Sequence, residues 1–171
     1  LRLSPQDVSE LAVVVRNTLA LQDIQAGRLP TVPPHTGALQ PKAGEIVHVE
    51  IGAQLLEERS VRGGWISGSS GFSIPIARGV RWRVGGTRGH FTSERQLVPV
   101  SQGVLAVTST RIAFLGAPKS LSANWPKLMG AAPLADGLQL FVEGRARSPV
   151  LRYSDPACSE VVAALVAYYL R

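Results

Sequence analysis

The sequence has few residues of the kinds that build covalent or metal-bound frameworks. One cysteine, Cys158, excludes a disulfide framework, a cysteine zinc cage and a CxxC redox pair. The three histidines, His35, His48 and His90, lack the HxH or HExxH spacing that places two imidazoles on one metal. We therefore expect no metal and no cofactor. A single cysteine is also typical of a reducing compartment, so we expect a cytoplasmic protein.

Long hydrophobic runs are also missing. No stretch without a charged residue exceeds 15 residues, and the longest, 63–77 and 96–110, are rich in Gly, Ser and Pro. A membrane-spanning helix needs about 20 apolar residues, so none is predicted. Hydrophobic residues nevertheless form 45% of the chain, which is enough for a folded core and excludes disorder as the default.

Known catalytic arrangements are absent from the sequence. No serine lies in a GxSxG nucleophile elbow, and neither glycine-rich segment, 63–71 or 85–89, contains the Gly-Lys-Ser/Thr of a phosphate-binding loop. The adjacent carboxylates Glu57 and Glu58 point to opposite sides of a strand and are interpreted as surface residues. These absences predict a non-enzymatic protein without a small-molecule substrate.

The first element of the chain is predicted to be an amphipathic helix within residues 1–29. Ser4 can cap it, Pro5 suits the first helical position, and Gly27 and Pro30 end it. Its apolar stripe is spaced at i, i+3, i+7 and i+11 and must be buried against something, because isolated helices of this length are marginal in water. That could be its own domain or a second protein chain. The stripe residues are Val8, Leu11, Val15 and Leu19.

A proline-rich linker, residues 30–43, follows the predicted helix. It contains four of the twelve prolines, and residues 30–41 carry no charge. This composition is typical of a stiff, extended spacer, which would separate the helix from the rest of the chain.

From residue 44 to the end, the pattern predicts short strands and one terminal helix. Turn residues separate the strands at intervals of about 8–12 residues, which favours a sandwich or a small barrel. Asp136-Gly137 is the best hairpin signal, since a type I′ turn needs positive φ at both central residues. The predicted strands are 45–51, 72–84, 96–100, 104–108, 111–115, 119–125, 138–142 and 150–153. The helix begins at Asp155-Pro156, and its apolar stripe consists of Cys158, Val161, Val162, Leu165, Val166 and Tyr169. A single core is predicted to contain Leu105, Val107, Ile112, Phe114, Leu138, Leu140, Val161, Leu165 and Tyr169.

Residues 103–116 (GVLAVTSTRIAFLG) resemble the strand-pair signature G-x-L-x-V-T-x-x-R-hydrophobic-x-F-x-G of bacterial PH-like and GRAM-like domains. Residues 119–128 resemble the family's next strand, 136–140 its following hairpin, and Asp155-Pro156 the start of its final helix. The resemblance covers roughly residues 44–171. It implies a PH/GRAM-like seven-stranded β-barrel with a C-terminal capping helix. It does not imply phosphoinositide binding, because residues 55–71 hold two acids, two arginines and no Lys-x-x-Arg cluster.

Arginine is the one residue type used unusually. The chain has fifteen Arg and three Lys. Seven Arg and a single acid, Glu94, lie in residues 59–95, so this segment carries a charge of +6, which equals the net charge of the whole chain. Arg81 and Arg83 share a face of one predicted strand, and Arg88 follows in the next turn. They predict either an ordinary solvated face or a surface that binds an anionic partner. Trp65 and Ile66, in an uncharged Gly/Ser loop, are a second candidate contact, unless the loop folds back onto the core.

The sequence therefore predicts a binding or adaptor module rather than an enzyme. A protein partner or a second copy of the chain would be bound through the N-terminal helix or the arginine face. The first alternative is an anionic membrane surface, which would place the protein at the inner membrane face. Nucleic acid ranks third, because it would require aromatic platforms among the basic residues.

Overall fold

The computed structural model describes residues 4–34, 37–61, 73–77, 80–83 and 94–171. Two α-helices, two short 3-10 helices and nine strands follow one another along these residues. The order is α1 (Pro5–Gln25), β1 (Val47–Val61), β2 (Ser73–Ala77), β3 (Val80–Arg83), β4 (Glu94–Thr108), β5 (Arg111–Ala117), β6 (Leu121–Asn124), a 3-10 turn (Trp125–Lys127), β7 (Leu128–Leu134), β8 (Gly137–Val142), β9 (Val150–Tyr153), a second 3-10 turn (Pro156–Cys158) and α2 (Ser159–Tyr169).

The prediction of a mainly β protein is confirmed. Seven strands form one antiparallel sheet in the order β6-β5-β4-β1-β9-β8-β7, which curls into a half-barrel, while β2 and β3 form a separate hairpin. Helix α2 covers the concave side, where its Val162, Leu165 and Val166 are buried. Seven of the nine predicted core residues are buried, and Val161 and Tyr169 are half-buried against the same cluster.

The hairpin of β4 and β5 explains the sequence motif at residues 103–116. Gly103 and Gly116 face each other across the two strands, and a Cβ built on Gly103 would lie 2.1 Å from the Leu115 carbonyl oxygen. At the turn, the Thr108 hydroxyl accepts hydrogen bonds from the Thr110 and Arg111 amides at 3.2 and 3.1 Å. The motif is thus required by close strand pairing and by turn closure.

Three predicted strand boundaries are wrong. Strand β1 continues to Val61 because Ala53, Leu55 and Leu56 remain buried beyond the predicted end. Strand β4 is continuous through the expected turn at Gln102-Gly103, since Gly103 pairs with both neighbouring strands. The long strand predicted over 72–84 is instead the β2–β3 hairpin, in which Ile74 lies opposite Trp82.

The β7–β8 hairpin corrects two further expectations. Its loop is Ala135-Asp136, because Leu134 pairs with Gly137, and Gly137 does not have a positive φ. Gly137 is needed for a different reason: a Cβ there would lie 2.1 Å from the Leu151 carbonyl oxygen of β9. Strand β7 itself was not predicted, because its sequence LMGAAPL has no clear alternation and forms an edge strand.

The proline-rich segment does not act as a free spacer. Leu39 is 3% exposed and packs with Val47, Ala106 and Ala113. The Val32 amide donates a hydrogen bond to the Val47 carbonyl oxygen at 2.8 Å. The expectation that this segment holds the helix away from the barrel is therefore wrong: apolar residues between the prolines fasten it to the sheet.

Candidate interaction surface

Helix α1 begins where the sequence predicts, at a complete capping box. The Asp7 amide donates to Ser4 Oγ at 3.1 Å, and the Ser4 amide donates to Asp7 Oδ2 at 2.9 Å. The hydrogen bonds from Ser4 lower the pKa of the Asp7 carboxyl. The first turn is therefore fixed by local interactions that do not depend on the barrel.

One face of α1 packs on its own domain. Ile24 is buried in the main core, and Val13, Ala20 and Leu21 are half-buried on the same side of the helix. Asn17 Nδ2 donates to the Ala157 carbonyl oxygen at 2.5 Å, in the turn that precedes α2. The sequence analysis did not identify this face, although Val13, Ala20, Leu21 and Ile24 are spaced at i, i+7, i+8 and i+11.

The predicted stripe occupies the opposite side of α1 and is exposed to solvent. Val8, Leu11, Val15 and Leu19 are 52%, 53%, 49% and 56% exposed. At 3.6 residues per turn, the centre of the stripe lies about 180° around the helix axis from the face that packs on α2. We call these four residues the outward stripe. Helix α1 is therefore apolar on both faces, and only one of them is covered by the described part of the chain.

The N-terminal half of α1 projects beyond the barrel. Among residues 5–16, Val13 alone is half-buried, and all the others are exposed. A helix of about 12 residues without tertiary contacts is marginal in water. This half consequently depends on its capping box and on the continuous helix behind it.

A shallow groove of about 350 Å³ adjoins the C-terminal end of the outward stripe. Its apolar wall includes Leu19 and Leu29, and its rim carries Arg16, Asp23 and Arg28. Arg28 is paired with Asp23 at 2.6 Å. Arg16 forms no hydrogen bond or ion pair with any residue in the described part of the chain. The surface thus combines an apolar ridge, an apolar groove and the guanidinium of Arg16, which is unpaired within the part of the chain that the structure describes.

The charge of α1 is opposite in sign to that of the whole chain. Between Pro5 and Gln25 there are three acids, Asp7, Glu10 and Asp23, and one base, Arg16, so the helix carries −2. The net charge of the chain is +6. The apolar surface and the basic segment at residues 59–95 are therefore different features of the molecule.

The other predicted contact residues are only partly described. Arg81 and Arg83 occupy alternate positions of β3, and they pair with Pro75 and Ser73 of β2. Trp65, Ile66 and Arg88 lie outside the described residues.

The buried polar groups stabilise the fold. Burial raises the pKa of Glu45, but hydrogen bonds from Arg111, Thr108, the Lys42 amide and Thr110 outweigh it and hold the pKa at about 2. The Glu45 side chain has no exposed surface, and its Oε1 lies 2.9 Å from Arg111 Nε. The sequence analysis missed this pair, because nothing in the local pattern links residues 66 positions apart.

A second buried cluster joins the linker to α2. His48 Nδ1 lies 2.6 Å from the Pro30 carbonyl oxygen, and His48 Nε2 lies 2.6 Å from the Tyr169 hydroxyl. The Tyr169 ring stacks on Trp125 with centroids 4.7 Å apart. Both ring nitrogens of His48 are used in holding the proline-rich linker and helix α2 in place, so this histidine has a structural role.

Cys158 is half-buried at the start of α2 rather than fully buried in its stripe. Its Sγ lies 2.7 Å from the Asp155 carbonyl oxygen, and burial is the main cause that raises the pKa of the thiol. A raised pKa disfavours the thiolate, so the arrangement suits a structural residue better than a nucleophile.

No group of three potential metal-ligating side chains occurs among the described residues. Likewise, no helix within the described ranges is long and apolar enough to cross a bilayer. Comparison with protein-family models, curated proteins and solved structures finds no match to this chain. The function must therefore be argued from the surface itself.

Proposed function

We propose that this chain is a non-enzymatic interaction module that binds a protein partner through the outward stripe of α1. One observation carries the proposal: four large apolar side chains, each about half exposed, lie on the side of α1 that faces away from its own domain. Complete burial of a Val or Leu side chain contributes about 1.5–3 kcal/mol, so covering the exposed halves would contribute on the order of 3–6 kcal/mol before binding costs.

We further propose that the domain at residues 44–171 is PH-like and resides in the cytoplasm. The seven antiparallel strands, the β4–β5 hairpin and the terminal helix α2 support the first part. The single cysteine supports the second. On this proposal the barrel is the scaffold that positions α1, and function resides in the attached helix.

Site-specific photo-crosslinking in cells tests the proposal. A photoreactive amino acid at Val15 is expected to form a discrete adduct with a second protein. The same residue at Ser122, an exposed position on strand β6, is the matched control and is expected to form none. The proposal fails if Val15 gives no protein adduct, or if Ser122 gives the same adducts with equal yield.

An anionic membrane surface is the second candidate. Arg81 and Arg83 occupy alternate positions of strand β3, and residues 62–93 contain five arginines and no acid. On this reading, the full chain floats with vesicles containing phosphatidylglycerol at low salt, and flotation is lost when Arg81, Arg83 and Arg88 are changed together to Glu. No flotation at low salt would remove this candidate and leave the protein-binding proposal intact.

A further inference from the structure

We infer that the partner of α1 is an amphipathic helix of a different protein, which carries a carboxylate opposite Arg16 and a basic residue opposite Asp7. This inference rests on the proposed function and specifies the chemistry of the partner. Four observations carry it: the ridge of the outward stripe, the adjoining groove, the Arg16 guanidinium that no described residue pairs with, and the distribution of charge along α1.

The shape of the surface favours a helix as the occupant. The outward stripe forms a ridge, and the groove lined by Leu19 and Leu29 adjoins its C-terminal end. Side-chain ridges of one helix pack into the grooves of another, and a groove of about 350 Å³ accommodates large apolar side chains. An extended peptide would have no sheet edge to pair with along α1.

The charges on α1 specify the direction in which the partner helix lies. Arg16 is exposed and has no hydrogen-bond or ion-pair partner among the described residues. Asp7 lies nine positions earlier, about 14 Å along the axis at 1.5 Å per residue. The two flank the outward stripe on opposite sides, so a helix that covers the stripe meets Arg16 along one of its flanks and Asp7 along the other. The acidic and basic residues of the partner helix must be separated by about the same axial distance as Asp7 and Arg16. This requirement fixes the orientation of the partner on α1.

A second copy of this chain does not meet these requirements. The stripe continues at heptad spacing for less than two heptads, because Thr18 and Gln22 occupy the next positions, and coiled coils need about three or four. In an antiparallel pair, two-fold symmetry places Arg16 on the same side as its own copy and away from Asp7. In a parallel pair, Asp7 lies nearest Ala12 of the other helix. Neither arrangement brings Arg16 of one copy to Asp7 of the other.

An anionic lipid surface does not fit either. Helices that lie on such membranes are rich in Lys and Arg on their polar face, whereas α1 carries −2. Repulsion from the surface would oppose insertion of the stripe. A protein partner with both signs of charge avoids this cost.

The test begins with the adduct formed by the photoreactive residue at Val15. Mass spectrometry identifies the crosslinked segment of the partner, which is expected to be helical, with a carboxylate and a basic residue about nine positions apart. The affinity of the full-length chain for that purified partner is then measured by calorimetry. Arg16→Glu is expected to weaken binding at least tenfold, and a Glu-to-Lys or Asp-to-Lys change at the facing partner residue is expected to restore it. Arg145→Glu, at an exposed arginine away from α1, is the matched control and is expected to leave the affinity unchanged.

Each alternative result has a definite meaning. An adduct with a second copy of the chain, an adduct with lipid, or a partner segment that is not helical would overturn the inference. So would equal affinities of Arg16→Glu and Arg145→Glu. If no protein adduct forms at Val15, the proposed function itself fails. If an adduct forms but Arg16 has no effect, the proposed function stands and the charge assignment is wrong.

Discussion

Replacing Glu45 with Gln should remove the buried ion pair that fastens the start of the barrel domain to the β4–β5 turn. Both Arg111 Nε and Arg111 Nη2 donate to the Glu45 carboxylate, at 2.9 and 3.2 Å. The side chain of Glu45 has no exposed surface, so little of this interaction is screened by solvent. Removal of one partner leaves the other charge buried, which typically costs about 3–5 kcal/mol.

The pH dependence gives an independent magnitude. The pKa of Glu45 is lowered from 4.5 to about 2. At about 1.4 kcal/mol per pKa unit, the ionised form stabilises the folded state by about 3 kcal/mol. Because the folded-state pKa is depressed, this contribution is present above pH 4.5 and decreases as the pH falls towards 2. Less than half of it, about 1 kcal/mol, remains at pH 3.

Urea unfolding at pH 7 and at pH 3 measures both effects. Glu45→Gln should be about 3 kcal/mol less stable than the natural chain at pH 7, and most of that difference should disappear at pH 3. Glu143→Gln, at an exposed carboxylate, is the control and should change the stability by less than about 0.5 kcal/mol. Equal pH dependence in the natural chain and Glu45→Gln would refute the assignment of Glu45 as the titrating group.

Three further predictions concern the core and α1. Leu165→Ala should lower the free energy of unfolding by about 2–5 kcal/mol, because the side chain is fully buried beneath the sheet. An unchanged urea midpoint would contradict the role of α2 as the cover of the half-barrel. Tyr153→Phe should leave stability unchanged or raise it by about 1 kcal/mol in the same assay, because its buried hydroxyl has no hydrogen-bond partner in the described part of the chain. A loss above about 1 kcal/mol would indicate that the hydroxyl is hydrogen-bonded. In hydrogen exchange, the backbone amides of residues 5–16 in the free chain should exchange much faster than the amides around Ile24, because nearly all of residues 5–16 are exposed. Equal protection of the two halves of α1 would show that the projecting half has tertiary contacts.

The sequence was most informative where local chemistry decides the structure. The Ser4 cap of α1 and the apolar stripe of α2 each depend on residues near one another in the chain. Their geometry follows from hydrogen bonding and side-chain spacing alone. These elements were predicted within a few residues of their observed positions.

Long-range packing accounts for the features that were missed. Strand β1 extends to Val61 because β4 pairs with it along its whole length. Gly103 and Gly137 were interpreted as turn residues, although the nearby backbone of β5 and β9 is what excludes a side chain there. Such close approaches cannot be recognised from one segment of sequence.

The candidate surface was predicted in part. The outward stripe was found by its periodicity, but the sequence could not decide between packing on its own domain and on a partner. The answer depends on a second apolar face around Ile24, which takes the position beside α2 and leaves the first face exposed. The groove beside Leu29 was not foreseen, because it forms only when the proline-rich segment folds back on the barrel.

The most direct test of the central claim is the affinity of the chain for its crosslinked partner when the outward stripe is made polar. Leu11→Glu combined with Val15→Glu should weaken binding by at least a hundredfold while the melting temperature stays unchanged, because both side chains are half exposed in the free chain. Ser122→Glu combined with Asn124→Glu, at exposed positions of β6, should leave the affinity intact. If the Leu11/Val15 variant binds the partner as tightly as the natural chain does, the outward stripe is not the binding surface.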